Sequence, residues 1–182
     1  MSRVLMFIAD GFEEVEGLMT VDILRRAGIT VDMASIMGRL EIESSHKVKL
    51  TTDILAEEAD LDSYDMVFLP GGMPGTNHLK ASKTVTDAVM YFYNNDKYLA
   101  AICAAPTVFG GLGILKGKKA CCYGGMEDGL IGAEVSFDNV CKDGKIFTSR
   151  GLGTALDMGL ALLEEFKGKD AANEMAAKIM LK

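Results

Sequence analysis

Tyr98-Leu99-Ala100-Ala101-Ile102-Cys103-Ala104-Ala105-Pro106-Thr107-Val108-Phe109 is the run whose reading settles the architecture of this chain. Its first five residues are apolar and uncharged, as a strand buried on both faces requires. Small residues and a proline follow Cys103, which suits a tight turn and a first helical turn. Cys103 is therefore read at a strand-to-helix elbow, its sulfur directed at unpaired backbone N–H groups and the positive end of a helix dipole. Both stabilise a thiolate, so the elbow predicts a lowered thiol pKa and a nucleophile. A free cysteine in an apolar run is more often only a small buried hydrophobe. The elbow, with the motifs below, turns the reading toward chemistry.

Outward from the elbow, strands alternate with helices. Residues 4–9 read as a buried strand, 13–27 as a helix with an acidic first turn and Gly28 at its end, and 29–36 as the next strand. Residues 41–43 and 48–50 read as a short exposed hairpin, followed by a polar stretch to Tyr64. Residues 66–69 read as a buried strand ending in Pro70-Gly71-Gly72-Met73-Pro74-Gly75, a loop whose glycines permit close backbone approach. Ser82 then caps a helix in which Val85, Ala88, Val89 and Phe92 share one face. Beyond the elbow, residues 120–123, 135–140 and 145–148 read as strands, the last two joined by a turn at Lys142-Asp143-Gly144. Two closing helices carry stripes at Leu156, Gly159, Leu160 and Leu163 and at Ala172, Met175, Ala176 and Ile179, separated by Gly168.

This alternation predicts an α/β fold in one domain, residues 1–182, with a mostly parallel sheet covered by helices on both faces. The loops at the carboxyl ends of its strands then form the ligand crevice. Four segments share that edge: Asp10-Gly11-Phe12, Gly71-Gly72, Cys103, and Thr148-Ser149-Arg150-Gly151.

With 182 residues, 49% of them hydrophobic, the chain can bury roughly 70% of its unfolded surface without staples. A net charge of −7 argues against a nucleic-acid or anionic-membrane surface. The four cysteines, at 103, 121, 122 and 141, form no CxxC pair, so neither a zinc site nor a disulfide framework is expected and a reducing, cytoplasmic compartment is. Cys121, Cys122 and Cys141 are read as structural. The apolar start is too short for a signal-peptide core and reads as a first strand. The 18 uncharged residues 98–115 approach the length of a membrane span, but Pro106 and three glycines favour the elbow.

Five segments, in order and spanning nearly the whole chain, carry a family resemblance: Asp10-Gly11-Phe12-Glu13-Glu14-Val15-Glu16, Val21-Asp22-Ile23-Leu24-Arg25-Arg26-Ala27-Gly28, Leu69-Pro70-Gly71-Gly72, Ala100-Ala101-Ile102-Cys103-Ala104-Ala105-Pro106, and Thr148-Ser149-Arg150-Gly151-Leu152-Gly153-Thr154. In these the chain resembles the ThiJ/PfpI superfamily, in the branch holding the human parkinsonism-associated deglycase and bacterial YajL. The resemblance implies a flavodoxin-like three-layer sandwich and a homodimer. It implies Cys103 as nucleophile, Glu16 as its carboxylic acid partner, and an oxyanion site from the backbone N–H groups of Gly72 and Ala104. It further implies a contribution to the pocket from a second subunit's segment holding Arg25 and Arg26. Gly71, Tyr123 and Arg150 are further pocket candidates, Arg150 reading equally as an anion partner or as half of a structural salt bridge. A thiolate and a carboxylate at close range repel, so one of the pair should hold a proton, and such a Glu can act as acid and base.

The departures from the family pattern also count. Where many members place a histidine beside the nucleophile, this chain has Tyr123, so a Cys-His dyad and peptide hydrolysis are disfavoured. Of the two histidines, His78 reads as a surface residue just past the glycine-rich loop, and His46 falls in the hairpin region. Ala105 replaces a glycine found in several relatives. The leading reading is a cofactor-independent glyoxalase or deglycase acting on methylglyoxal or glyoxal, free or as adducts on protein or nucleotide groups. Its alternative is an oxidative-stress sensor or redox-regulated chaperone in which Cys103 becomes a sulfinic acid held by Glu16. No phosphate-binding motif supports thiazole or thiamine biosynthesis.

Overall fold

Apolar runs of four to six residues with no internal helix period have one way to bury both faces, which is to lie in the middle of a covered sheet. A computed structural model describes residues 2–181, with the strands β1 (Arg3–Ile8), β2 (Thr30–Ser35), β3 (Glu41–Glu43), β4 (Lys49–Thr51), β5 (Ile54–Leu55), β6 (Met66–Leu69), β7 (Tyr98–Ile102), β8 (Lys119–Ala120), β9 (Glu134–Val135), β10 (Val140–Asp143) and β11 (Ile146–Ser149). The helices are α1 (Glu14–Arg26), α2 (Gly75–Ala81), α3 (Lys83–Asn94), α4 (Pro106–Gly111), α5 (Ala155–Lys167) and α6 (Lys169–Lys178). Seven strands form one sheet in the order β10-β11-β7-β6-β1-β2-β5, parallel throughout except for the β10–β11 hairpin.

Because side chains alternate along a strand, the central strands feed two cores. Leu5, Phe7, Val67, Leu69, Leu99 and Ala101 face one layer with Leu79 of α2, Val85, Val89 and Phe92 of α3 and Phe109 of α4. Val4, Met6, Ile8, Met66, Phe68, Ala100 and Ile102 face the other, with Ile23 and Leu24 of α1, Met158 and Leu162 of α5 and Met175 of α6. The result is the expected three-layer α/β sandwich. Ser82 caps α3, its Oγ accepting from the backbone nitrogen of Val85 at 3.4 Å, and the four residues assigned to its inner face are buried. The uncharged run 98–115 divides into β7, the elbow and α4. Among the described residues no helix is long and apolar enough to cross a membrane.

Four local expectations need correction. The polar stretch before Tyr64 contains β5, which extends the sheet beside β2; two residues are too short to show a period. The glycine-rich loop ends at Pro74, and Gly75 begins α2, whose one large buried side chain, Leu79, leaves no stripe to read. Of the predicted 120–123 strand only Ala120 makes a ladder, joined with Lys119 before it in β8, which pairs with β9. Cys121 lies extended beside β11, its nitrogen donating to the Thr148 hydroxyl at 3.0 Å where a backbone carbonyl would serve in a ladder. In α5 the buried face is Ala155, Met158, Gly159, Leu162 and Leu163, so Leu156 and Leu160 lie to its side, half-buried.

Candidate active site

The carboxyl ends of β1, β6, β7 and β11 meet at one edge, and the four segments expected there converge around Cys103. The residue directly follows β7 and has φ +64°, a left-handed conformation costing a non-glycine residue about 1–2 kcal/mol. The surroundings hold it there. Its nitrogen donates to the Ser149 carbonyl at 2.9 Å, and its carbonyl accepts from the Tyr123 nitrogen at 2.8 Å. The chain thus turns sharply, leaving the half-buried sulfur at the sheet edge while the backbone N–H groups of Gly72 and Ala104 hydrogen-bond to it.

Glu16 reaches the same point from the first turn of α1. Its residue surface is 1% exposed, although the neighbouring Val15 faces solvent. The helix start is set by Glu13, whose Oε2 accepts from the Glu16 nitrogen at 2.8 Å as an N-cap. From there Glu16 Oε2 accepts from the Gly71 nitrogen at 3.1 Å, and the carboxyl group also hydrogen-bonds the Leu152 backbone and the Cys103 side chain. Gly71 is the contact point between the two groups. A Cβ there would lie 2.5 Å from both Cys103 Cβ and Glu16 Oε2.

Burial dominates the protonation of this pair. It raises Glu16 to about 7, with repulsion from Glu13 adding and the Cys103 and Gly71 hydrogen bonds opposing. It also raises Cys103 to about 12, reinforced by repulsion from Glu16 and opposed by the Gly72 and Ala104 N–H groups. The predicted lowering of the thiol is therefore corrected. α4 has only six residues and begins at Pro106, three positions beyond the sulfur, whereas a helix dipole acts within its first turn. Between about 7 and about 12 the pair carries one negative charge and one proton, shared along the hydrogen bond between Glu16 and Cys103.

Gly71, Gly72, Ala104 and Tyr123 lie around this pair, while Arg150 is the residue after Ser149, with its guanidinium over the Phe137 ring. Tyr123 is 55% exposed, and an atom placed at a Gly151 Cβ would be 3.5 Å from its ring, 3.7 Å from Glu16 Oε1 and 3.9 Å from Cys103 Sγ. Arg26 is not brought to the site of its own chain: at the far end of α1, it pairs with Asp22 at 2.7 Å on the helix surface. Arg25 is held by the Val31 carbonyl and Asp53. His78 is exposed on α2, and His46 is exposed with Nδ1 3.1 Å from Glu14 Oε1, so neither supplies an imidazole beside the sulfur. Cys121, Cys122 and Cys141 are buried.

Three contributors escaped the sequence reading: the Ser149 carbonyl, the Leu152 backbone and Phe137. The first two act through main-chain atoms, which leave no trace in residue type. Phe137 falls in the stretch 135–140 read as a strand, which the structure corrects: residues 136–139 only connect β9 to β10, and the aromatic ring is exposed.

Comparison with known proteins agrees with this fold. The model of the DJ-1/PfpI family matches residues 2–165. Protein DJ-1 homolog B of Arabidopsis thaliana is 38% identical over 175 residues, 96% of this chain, which spans only 40% of that longer plant protein. Protein dj-1beta of Drosophila melanogaster is 36% identical over 179 residues, covering 97% of this chain and 96% of its own. The glutathione-independent glyoxalase DJR-1.2 of Caenorhabditis elegans is 26% identical over 182 residues, covering 99% and 96%. Among solved structures, oxidized Toxoplasma gondii DJ-1 superposes with a TM-score of 0.95 at 32% identity, covering 99% of this chain and 98% of that one.

Proposed function

The chain belongs to the DJ-1/PfpI family, and on that premise we propose that it is a cofactor-independent glyoxalase, with deglycase activity on the same chemistry, converting methylglyoxal or its adducts to lactate. The observation that carries this reading is the pairing of the buried Glu16 with the half-buried Cys103, which hold one proton between them above about 7, with two backbone N–H groups aimed at the sulfur. A relative named as a glyoxalase supports it.

The Cys103 thiol passes its proton to the Glu16 carboxylate as the sulfur attacks the aldehyde carbon, and the carbonyl electron pair moves to oxygen, which takes that proton from Glu16 while the Gly72 and Ala104 N–H groups stabilise the developing charge. The resulting hemithioacetal keeps a hydrogen on C1. Glu16, now a carboxylate, removes that proton, and reprotonation at C2 gives a lactoyl thioester. Water then cleaves the thioester, releasing lactate and returning the proton to the pair. No net oxidation occurs. Isomerisation followed by hydrolysis requires one base that cycles, and a carboxyl group near about 7 is suited to both directions.

The test is lactate formation from methylglyoxal by the purified protein across pH 5 to 9. The competent form is the singly ionised pair, so kcat/KM should rise about tenfold per pH unit below about 7 and level off above it. Loss of methylglyoxal without lactate, or a flat profile, overturns the proposal.

A second reading is favoured by accessibility: Cys103 is the one cysteine of the four that is not buried. Oxidation to the sulfinic acid under mild peroxide should then add two oxygen atoms at Cys103 ahead of the other three, read by peptide mass spectrometry. Equal oxidation of all four removes this reading.

A further inference from the structure

Four of the five arginines have carboxylate partners within 2.8 Å: Arg3 with Asp32, Arg25 with Asp53, Arg26 with Asp22 and Arg39 with Asp10. Arg150 is the exception. Among the described residues its guanidinium makes no ion pair or hydrogen bond, and its buried Nε has no partner, in a chain whose net charge of −7 leaves carboxylates in excess. A half-buried cation without a partner has lost solvation without recovering it, which an anionic ligand would correct.

It stands on a segment that holds the backbone of the thiol residue. Arg150 follows Ser149, whose carbonyl holds the Cys103 nitrogen, and one of its terminal nitrogens lies 3.9 Å from where a Gly124 Cβ would be. Gly124 adjoins Tyr123, whose nitrogen holds the Cys103 carbonyl and whose ring borders the space over the sulfur. The exposed Phe137 ring flanks the guanidinium, its centroid 5.7 Å from Cζ. With Nε shielded, the edge left for a ligand is the pair of terminal nitrogens, whose spacing matches the two oxygens of a carboxylate.

We propose that Arg150 anchors a carboxylate subsite and that the substrates of this pocket are α-oxoaldehydes bearing a carboxylate, held with the aldehyde at Cys103 and the acid at Arg150. The carbonyl half rests on the function proposed above; the anion half rests on Arg150 alone. Both are tested with 4,5-dioxopentanoate, an oxoaldehyde with a carboxylate arm, against methylglyoxal. In the parent, kcat/KM should favour the acid by at least about tenfold. In Arg150→Met that preference should collapse to about one, chiefly through KM, with partial recovery in Arg150→Lys. A parent preference near one, or a preference untouched by Arg150→Met, overturns the subsite.

Binding without turnover separates the two halves. The Cys103→Ser protein is titrated with 4-oxopentanoate, which keeps the carboxylate but has no aldehyde, and complex formation is followed by saturation-transfer NMR. Adding Arg150→Met should weaken binding about 10- to 100-fold. If neither oxoaldehyde is turned over but 4-oxopentanoate still binds through Arg150, the carbonyl chemistry fails and the subsite stands. If 4-oxopentanoate does not bind, the subsite fails.

Discussion

Glu16→Gln is expected to lower kcat/KM for methylglyoxal by about 10²- to 10⁴-fold, the range typical of a lost general acid–base group, while making the protein more stable at neutral pH. Glutamine fills the same volume and retains an acceptor for the Gly71 nitrogen, but it cannot cycle a proton. The stability gain follows from linkage. Glu16 is raised from an ordinary value of 4.5 to about 7 in the folded state, so its contribution is fully present below 4.5 and is lost as pH rises through about 7. The variant lacks this loss. Its advantage should open between pH 4.5 and about 7, reach about 2–3 kcal/mol and stay constant above, as read from urea unfolding.

The thiol should respond in the opposite sense to turnover. Removing the carboxylate removes the repulsion that, after burial, holds Cys103 up, so alkylation should show a more acidic thiol in a nearly inactive enzyme. Cys103→Ser should lose at least about 10³-fold, since the nucleophile itself is gone. Parent-like turnover in either variant would sink the mechanism, and a stability gap that does not change with pH would place the Glu16 proton elsewhere.

The second large effect is expected at Gly72. Its φ is +91°, and a Cβ there would lie 2.5 Å from the Phe12 carbonyl carbon and closer still to the Glu13 nitrogen. Backbone cannot yield as a flexible side chain does, and these atoms begin the loop that delivers Glu13 and Glu16 to the site. Gly72→Ala should therefore destabilise by about 3 kcal/mol or more, a fall of about 6–12 °C in Tm. By displacing the N–H that faces the sulfur, it should also cost about 10²-fold in turnover. Gly38→Ala is the control. Gly38 has φ +66° with nothing within 4 Å of a Cβ, so only the dihedral strain of about 1–2 kcal/mol should appear, with activity retained. Equal losses in the two variants would mean that strain, and not close approach, accounts for Gly72.

The legible parts of the fold were those in which a local pattern and the final burial coincide. In α3, the cap at Ser82 and the stripe Val85, Ala88, Val89 and Phe92 carry the whole decision, and β6 and β7 are apolar over their full length. β5 and α2 were not legible, because one is two residues long and the other buries a single large side chain. The site divides the same way. Cys103, Gly71 and Gly72 mark themselves by the elbow and the glycine loop, whereas Glu16 looks like any residue of an acidic first turn until the family motif singles it out.

What the sequence determines by itself is the parallel three-layer sandwich, since uncharged strands alternating with capped helices have few other ways to bury both faces, and the convergence of four strand ends on Cys103. The tertiary structure decides the chemistry of that convergence. It buries Glu16 to 1% exposure against the thiol and raises both groups where the elbow alone predicted a lowered thiol. Among the described residues it also leaves Arg150 without a counter-ion. Protonation and ion pairing depend on desolvation and on charges within a few ångströms, contributed by residues as far apart in the chain as Glu16 and Cys103, and no local pattern of residue types encodes those distances.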